Sequence, residues 1–296
     1  MMPWVKAGLL LCAAVFMAVI LLRHWLRTSP GLARVLAVVA GVGLLAGSAA
    51  EVYFTLQSVV GFVDSDLYWN YVTATRHGEA VIWRAGLTVA LVILSLLPVR
   101  TWQAFLLLPG WLALLASFSY TSHAAAMGGS FEFTVDLVHF TAAGVWTGVI
   151  LALVFARALW QPGAEWQLSR AMRVVSTTGL LSVLVVAGTG VVSTLFHTSD
   201  PDMFVGSPYS IAWLVKIGLV VLTVGVAALN RFVFMPQLES GRGSAGLRRN
   251  LLLEALLLVA VFAATGVLST SELPHGPEIY GPAQNLQLMF NHFFGQ

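Results

Sequence analysis

Residues 250–270 read NLLLEALLLVAVFAATGVLST, an apolar run broken by one carboxylate, Glu254, and preceded by the pair Arg248 and Arg249. An α-helix rises 1.5 Å per residue and the hydrocarbon layer of a bilayer is about 30 Å thick, so about 20 such residues cross it. Apolar side chains on every face of so long a helix leave nothing to meet water. Seven further stretches read the same way, over residues 4–22, 32–56, 79–97, 102–120, 133–155, 171–195 and 211–232. The expected fold is therefore an all-α polytopic bundle of about eight transmembrane helices. It occupies residues 1–296 as a single domain, with no polar linker or internal repeat to divide it.

Composition agrees. Charged residues make up 9% of the chain and apolar residues 58%, against roughly 25% charged in a soluble domain. The run 4–22 is followed, not preceded, by its basic residues Arg23 and Arg27, so it reads as a retained helix and not as a signal peptide. Cytoplasmic loops keep an excess of Lys and Arg. Arg23, Arg27 and Arg34 fill the first loop, Arg100 the third, Arg157, Arg170 and Arg173 the fifth, and Arg231, Arg242, Arg248 and Arg249 the seventh. The second loop sets Arg76 against Asp64, Asp66 and Glu79, and the remaining loops and the tail hold no Lys or Arg. Both termini are thus expected outside the cytoplasm. The formal charge of +2 is dispersed over short loops, which excludes a nucleic-acid surface.

On this map His77, His123, His139, His197, His275 and His292 all belong to the outer side, and of the seven histidines only His24 is inside. His123 follows the fourth helix, His139 lies two turns into the fifth and His197 caps the sixth, so three imidazoles reach one depth; Met127 and Met203 lie just beyond two of them. Imidazole with thioether is a copper donor set, accepting Cu(I) or Cu(II). With Cys12 as the single cysteine, a thiolate cluster is excluded. The metal candidates are His123, His139, His197, Met127 and Met203, followed by His77, His275, Met289 and His292. Outer histidines also occur simply as interfacial side chains bonded to loops. That reading is weakest for His139, which shares a helical face with Asp136 and Trp146, and an Asp one turn away is placed to orient its ring.

Ionisable groups within the spans must face the bundle interior, pair, or line a wet path. Glu51, Arg84, Lys216 and Glu254 are such groups and are functional candidates; the first three map with Asp136 to the outer half, and the alternative for Glu51 and Arg84 is a structural ion pair. Glu254, a turn into the last helix, reads as an anchor for that helix end. Gly179, Gly188 and Gly190 read as points of close helix contact. No nucleotide, hydrolase or zinc-protease motif occurs in a usable context, so no enzyme is expected.

Four stretches together resemble the bacterial copper resistance D family: DLVHFTAAGVWTG at 136–148, SHAAA from Ser122, the region of Lys216 through AALNR at 227–231 with Pro236, and RRNLLLEALL from Arg248. They cover roughly residues 120–272; the first four helices are similar mainly in hydropathy. Ser122 and Val149 stand where the family has glycine. The resemblance implies a multi-pass protein of the bacterial inner membrane that takes copper at the periplasmic face, beside a CopC-type periplasmic copper-binding partner, and serves copper transport, homeostasis or resistance. Two other functions fit the residues: a haem b redox bundle with His139 and His197 as axial ligands, and a non-transporting copper scaffold. The inner half offers only His24 to a second haem, which counts against electron transfer across the bilayer.

Overall fold

The computed structural model describes residues 2–27, 30–122, 130–197, 207–240 and 244–271, with the side chains of 195–197 outside the description. Among these residues the protein is all-α, and eight of its helices are long and apolar enough to cross a membrane. It is an all-α polytopic membrane protein.

Helix α1, Pro3–Ile20, runs into a π turn, Leu21–Trp25, and is followed by α2, Pro30–Val60. A short α3, Ser65–Ala74, leads to α4, Arg76–Leu96; a 3-10 turn, Thr101–Gln103, leads to α5, Ala104–Ser119. The second half comprises α6, Ser130–Phe155, and α7, Glu165–His197, then α8, Pro208–Leu229, with a π turn, Asn230–Phe234, and α9, Met235–Glu239. The chain then enters α10, Ala245–Thr270.

Helix α3 is a short helix within the loop between the second and third spans. Asp64 caps it by accepting from Leu67 N at 2.8 Å, and Thr75 caps α4 by accepting from Gly78 N at 3.0 Å. Each cap satisfies a backbone N–H that a helix start leaves open. Only glycine fits at 78, where a Cβ would lie 2.3 Å from the Val72 carbonyl oxygen. The segment escaped the hydropathy reading because it is too short and too polar to span.

Helix α1 is the central element, packing on α2, α5, α6 and α10. Lipid tails are as apolar as leucine, so helices associate through close packing and buried hydrogen bonds. Both occur here. Gly148 of α6 meets Met17 where a Cβ would lie 2.4 Å from Cγ, and Trp111 Nε1 of α5 donates to the Ala13 carbonyl of α1 at 2.8 Å. Helix α7 packs on α6, and α8 on α10, while the consecutive α7 and α8 make few direct contacts. Two-thirds of the apolar window of α1 is buried (67%), against 11% for those of α7 and α8. The last two therefore turn most of their surface toward lipid.

Candidate metal centre and the buried polar groups around it

His139 projects from α6 toward α7, where Gly190 leaves room for the ring: a Cβ at 190 would lie 3.8 Å from His139 Cε1. His139 Nδ1 lies 2.9 Å from Thr189 Oγ1. That hydroxyl already donates to Val185 O at 2.6 Å, with Val186 O at 3.3 Å. A hydroxyl has one proton to give, so toward the imidazole it accepts. If Nδ1–H donates to Thr189, the neutral ring carries its lone pair on Nε2, the form a metal needs. Thr189 is thus a hydrogen-bond partner of the ring. Asp136 interacts electrostatically with Lys216 of α8, and Lys216 also acts on His139. Three helices thus meet at this depth.

His123, Met127, Met203, His275, Met289 and His292 lie outside the described residues, as does the side chain of His197, although α7 ends at that residue. Among the described residues no group of three or more His, Cys, Asp or Glu comes together in a way that could hold a metal ion. His77 belongs elsewhere. Its Nδ1 lies 3.0 Å from Tyr71 Oη and its Nε2 3.7 Å from Glu51 Oε1.

Glu51 is the centre of a separate cluster that joins α1, α2, α4 and α5. Arg84 Nη1 reaches its Oε2 at 2.6 Å and Lys6 Nζ its Oε1 at 3.4 Å. Arg84 also donates to Ser117 Oγ at 3.2 Å and lies 3.9 Å from the Phe118 ring centre. Arg84 and Glu51 are buried, and removing one partner of such a pair costs about 3–5 kcal/mol. On α3, burial first and the charge of Glu51 second push the Tyr71 phenol above its ordinary value. Glu51 and Arg84 are therefore brought together, as are Asp136 and Lys216, in two clusters.

A third group lies deeper. Trp146 sits seven residues after His139 on α6, about 10 Å further along the helix. Its Nε1 donates to Glu254 Oε1 at 3.1 Å, and Asn230 Nδ2 donates to Oε2 at 2.7 Å. Asn250 Nδ2 donates in turn to Asn230 Oδ1 at 2.8 Å and to Val226 O at 3.0 Å. Glu254 is thus a buried junction of α6, α8 and α10, more than the helix-end anchor its position in the sequence implies. Between α7 and α8 a cleft of about 240 Å³, lined by Trp146, Val183, Val186, Ala187, Val220, Val221 and Val224, leads to this level. Trp213 Nε1 bonds Thr194 Oγ1 at 3.1 Å toward the His197 end of the seam, and Arg231 Nη1 bonds Ser176 Oγ at 2.8 Å toward the other.

Sequence reasoning missed Lys6, Tyr71, Thr189, Asn230 and Asn250. Lys6 and the two asparagines carried a usable signal, being charged or amide side chains at the edges of apolar runs; Thr189, mid-helix among valines, carried none.

The family description that matches is "Copper resistance protein D", over residues 169–268, from the first turn of α7 through most of α10. Copper resistance protein D of Pseudomonas syringae pv. tomato is 30% identical over 219 residues, covering 67% of this chain and 70% of the relative. Inner membrane protein YebZ of Escherichia coli (strain K12) is 24% identical over 179 residues, 60% of this chain and 61% of YebZ. Copper transport protein CutJ of Bacillus subtilis (strain 168) is 28% identical over 213 residues, 69% of this chain but only 38% of CutJ. No solved structure matches significantly. The match to the Pseudomonas protein takes in more than two-thirds of both chains, and on it this eight-span protein belongs to the copper resistance D family.

Proposed function

We propose that this chain lies in the bacterial inner membrane with both termini periplasmic, accepts copper at the periplasmic face and carries it inward. Copper is its cargo and not a resident cofactor, no catalysis is involved, and a CopC-type periplasmic protein hands the metal over. The observation that carries this reading is His139, a bilayer imidazole whose Nδ1 lies 2.9 Å from Thr189 Oγ1, a hydroxyl already bonded to Val185 O, which favours a ligating lone pair on Nε2. From the sequence we assign the rest of the donor set to His123 and His197 with the thioethers of Met127 and Met203, since imidazole with thioether suits copper. A cation can approach Lys216 because Asp136 offsets its charge. Below the entry site, past the apolar cleft, Trp146, Glu254, Asn230 and Asn250 form the next polar group.

The test is elemental analysis and an optical spectrum of the purified full-length protein beside His139→Ala. Near-stoichiometric copper that the mutant loses, together with copper uptake into wild-type vesicles, is the expected result. Copper retained by the mutant overturns the site, and a Soret band with iron replaces the reading with the haem one.

A further inference from the structure

Glu254 is 2% exposed in the membrane interior and has two neutral donors, Trp146 Nε1 and Asn230 Nδ2. No cation pairs with it among the described residues. The cations on the elements packed against α10 are engaged elsewhere: Lys6 of α1 with Glu51, Lys216 of α8 with Asp136, and Arg231 of the π turn with Ser176. Their other titratable side chains, Cys12, Glu132, Asp136, His139 and Tyr209, bring no fixed positive charge. Arg248, on α10 itself, lies 6.0 Å from the Trp160 ring centre. A carboxylate buried in hydrocarbon without a counter-ion is costly when ionised.

The amides beside it can serve either charge state. As drawn, Asn250 Nδ2 donates to Asn230 Oδ1 and Asn230 Nδ2 donates to the carboxylate. The two ends of an amide are told apart only by their hydrogen bonds. Turned over, Asn230 accepts a proton from a neutral Glu254 through Oδ1 and donates to an overturned Asn250 through Nδ2. The reversal gives up the Asn250 Nδ2 bond to Val226 O. We infer that Glu254 is a proton-binding site, taking a proton on Oε2 when the amide pair reverses and releasing it when the pair returns, in exchange with copper moving along the same bundle. Its coupling to copper rests on the transport reading above; its protonation does not.

Infrared difference spectra of the full-length protein in liposomes, recorded across the neutral pH range, read the protonation directly. A carbonyl stretch of a buried protonated carboxyl that appears on acidification and is absent from Glu254→Gln is expected. Removing one donor to the charged form, by Trp146→Phe, is expected to shift that band's midpoint to higher pH. No band lost in Glu254→Gln, or an unmoved midpoint in Trp146→Phe, overturns the proton site. For the coupling, Glu254→Gln is expected to keep its copper stoichiometry and lose vesicle uptake with its accompanying proton flux; unchanged uptake and flux overturn it. Wild-type vesicles that take up no copper sink the transport reading, while the infrared result still decides the proton site.

Discussion

In the proposed copper site, Thr189 is what prepares His139 as a ligand. Its hydroxyl spends its proton on Val185 O, so only a lone pair faces Nδ1. Thr189→Val keeps the shape and removes the acceptor, leaving the ring free to rotate or change tautomer. Copper affinity is expected to fall about 10–100-fold, the usual cost of losing a partner that orients a metal-binding histidine. Copper titration of the purified variant measures it, and an affinity within twofold of wild type sinks the orienting role. Residues of this kind show how far the sequence could be read. His139 stood out because an imidazole inside an apolar run has no cheap explanation. Thr189 did not, because threonine in a membrane helix usually bonds its own backbone, and so it does here; its second partner appears only when α6 and α7 pack. Asp136, on the same helical face as His139, interacts with the charge of Lys216 on another helix, which spacing along one helix cannot reveal.

Among helices, glycine separates close contact from open surface. At Gly266 of α10 a Cβ would lie 2.2 Å from the Pro3 carbonyl oxygen and 2.9 Å from Ala7 Cβ, both on α1. The obstruction is backbone, which cannot rotate aside. Gly266→Ala is therefore expected to cost about 1–3 kcal/mol, typical of overpacking. Gly188 of α7 has nothing within 4 Å of its missing Cβ, so the close contact expected there is absent, whereas Gly179 and Gly190 face the rings of Trp146 and His139. Gly188→Ala is expected to be neutral or to stabilise by up to about 1 kcal/mol through helix propensity. Thermal unfolding in detergent compares the two, and a lower melting temperature for Gly188→Ala than for Gly266→Ala contradicts the packing described. The spans themselves were legible because hydrophobic length is dictated by the bilayer. Their true ends were not: α7 continues from Glu165 to His197, well beyond 171–195, because helix ends depend on caps and neighbours instead of hydropathy.

Taken whole, the molecule pairs a packed half with a looser one. In the first, α1 and the cluster of Lys6, Glu51, Arg84 and Ser117 tie four helices together. In the second, α7 adheres to α6 and α8 to α10, and the seam between α7 and α8 carries an apolar cleft; among the described residues it is bridged by Trp213 to Thr194 toward one end and, toward the other, by Arg231 to Ser176 with the exposed Arg173–Glu239 pair reaching α9. His139 lies on the α6–α7 side of this seam and Lys216 on the α8 side. Carriers commonly expose a site alternately by moving one group of helices against another, and this seam, where consecutive helices make few direct contacts, suits such a movement. If copper moves through it, locking the seam must block passage without touching the outer ligands. In a Cys12→Ser background, Ser176→Cys with Arg231→Cys replaces the inner bond by a pair that a short reducible crosslinker can bridge. Crosslinked protein in vesicles is expected to keep the copper stoichiometry of the uncrosslinked form, to lose uptake, and to regain it when the bridge is reduced. Uptake that persists through full crosslinking would instead assign movement to another interface, because a seam that need not open cannot be the one that carries the metal.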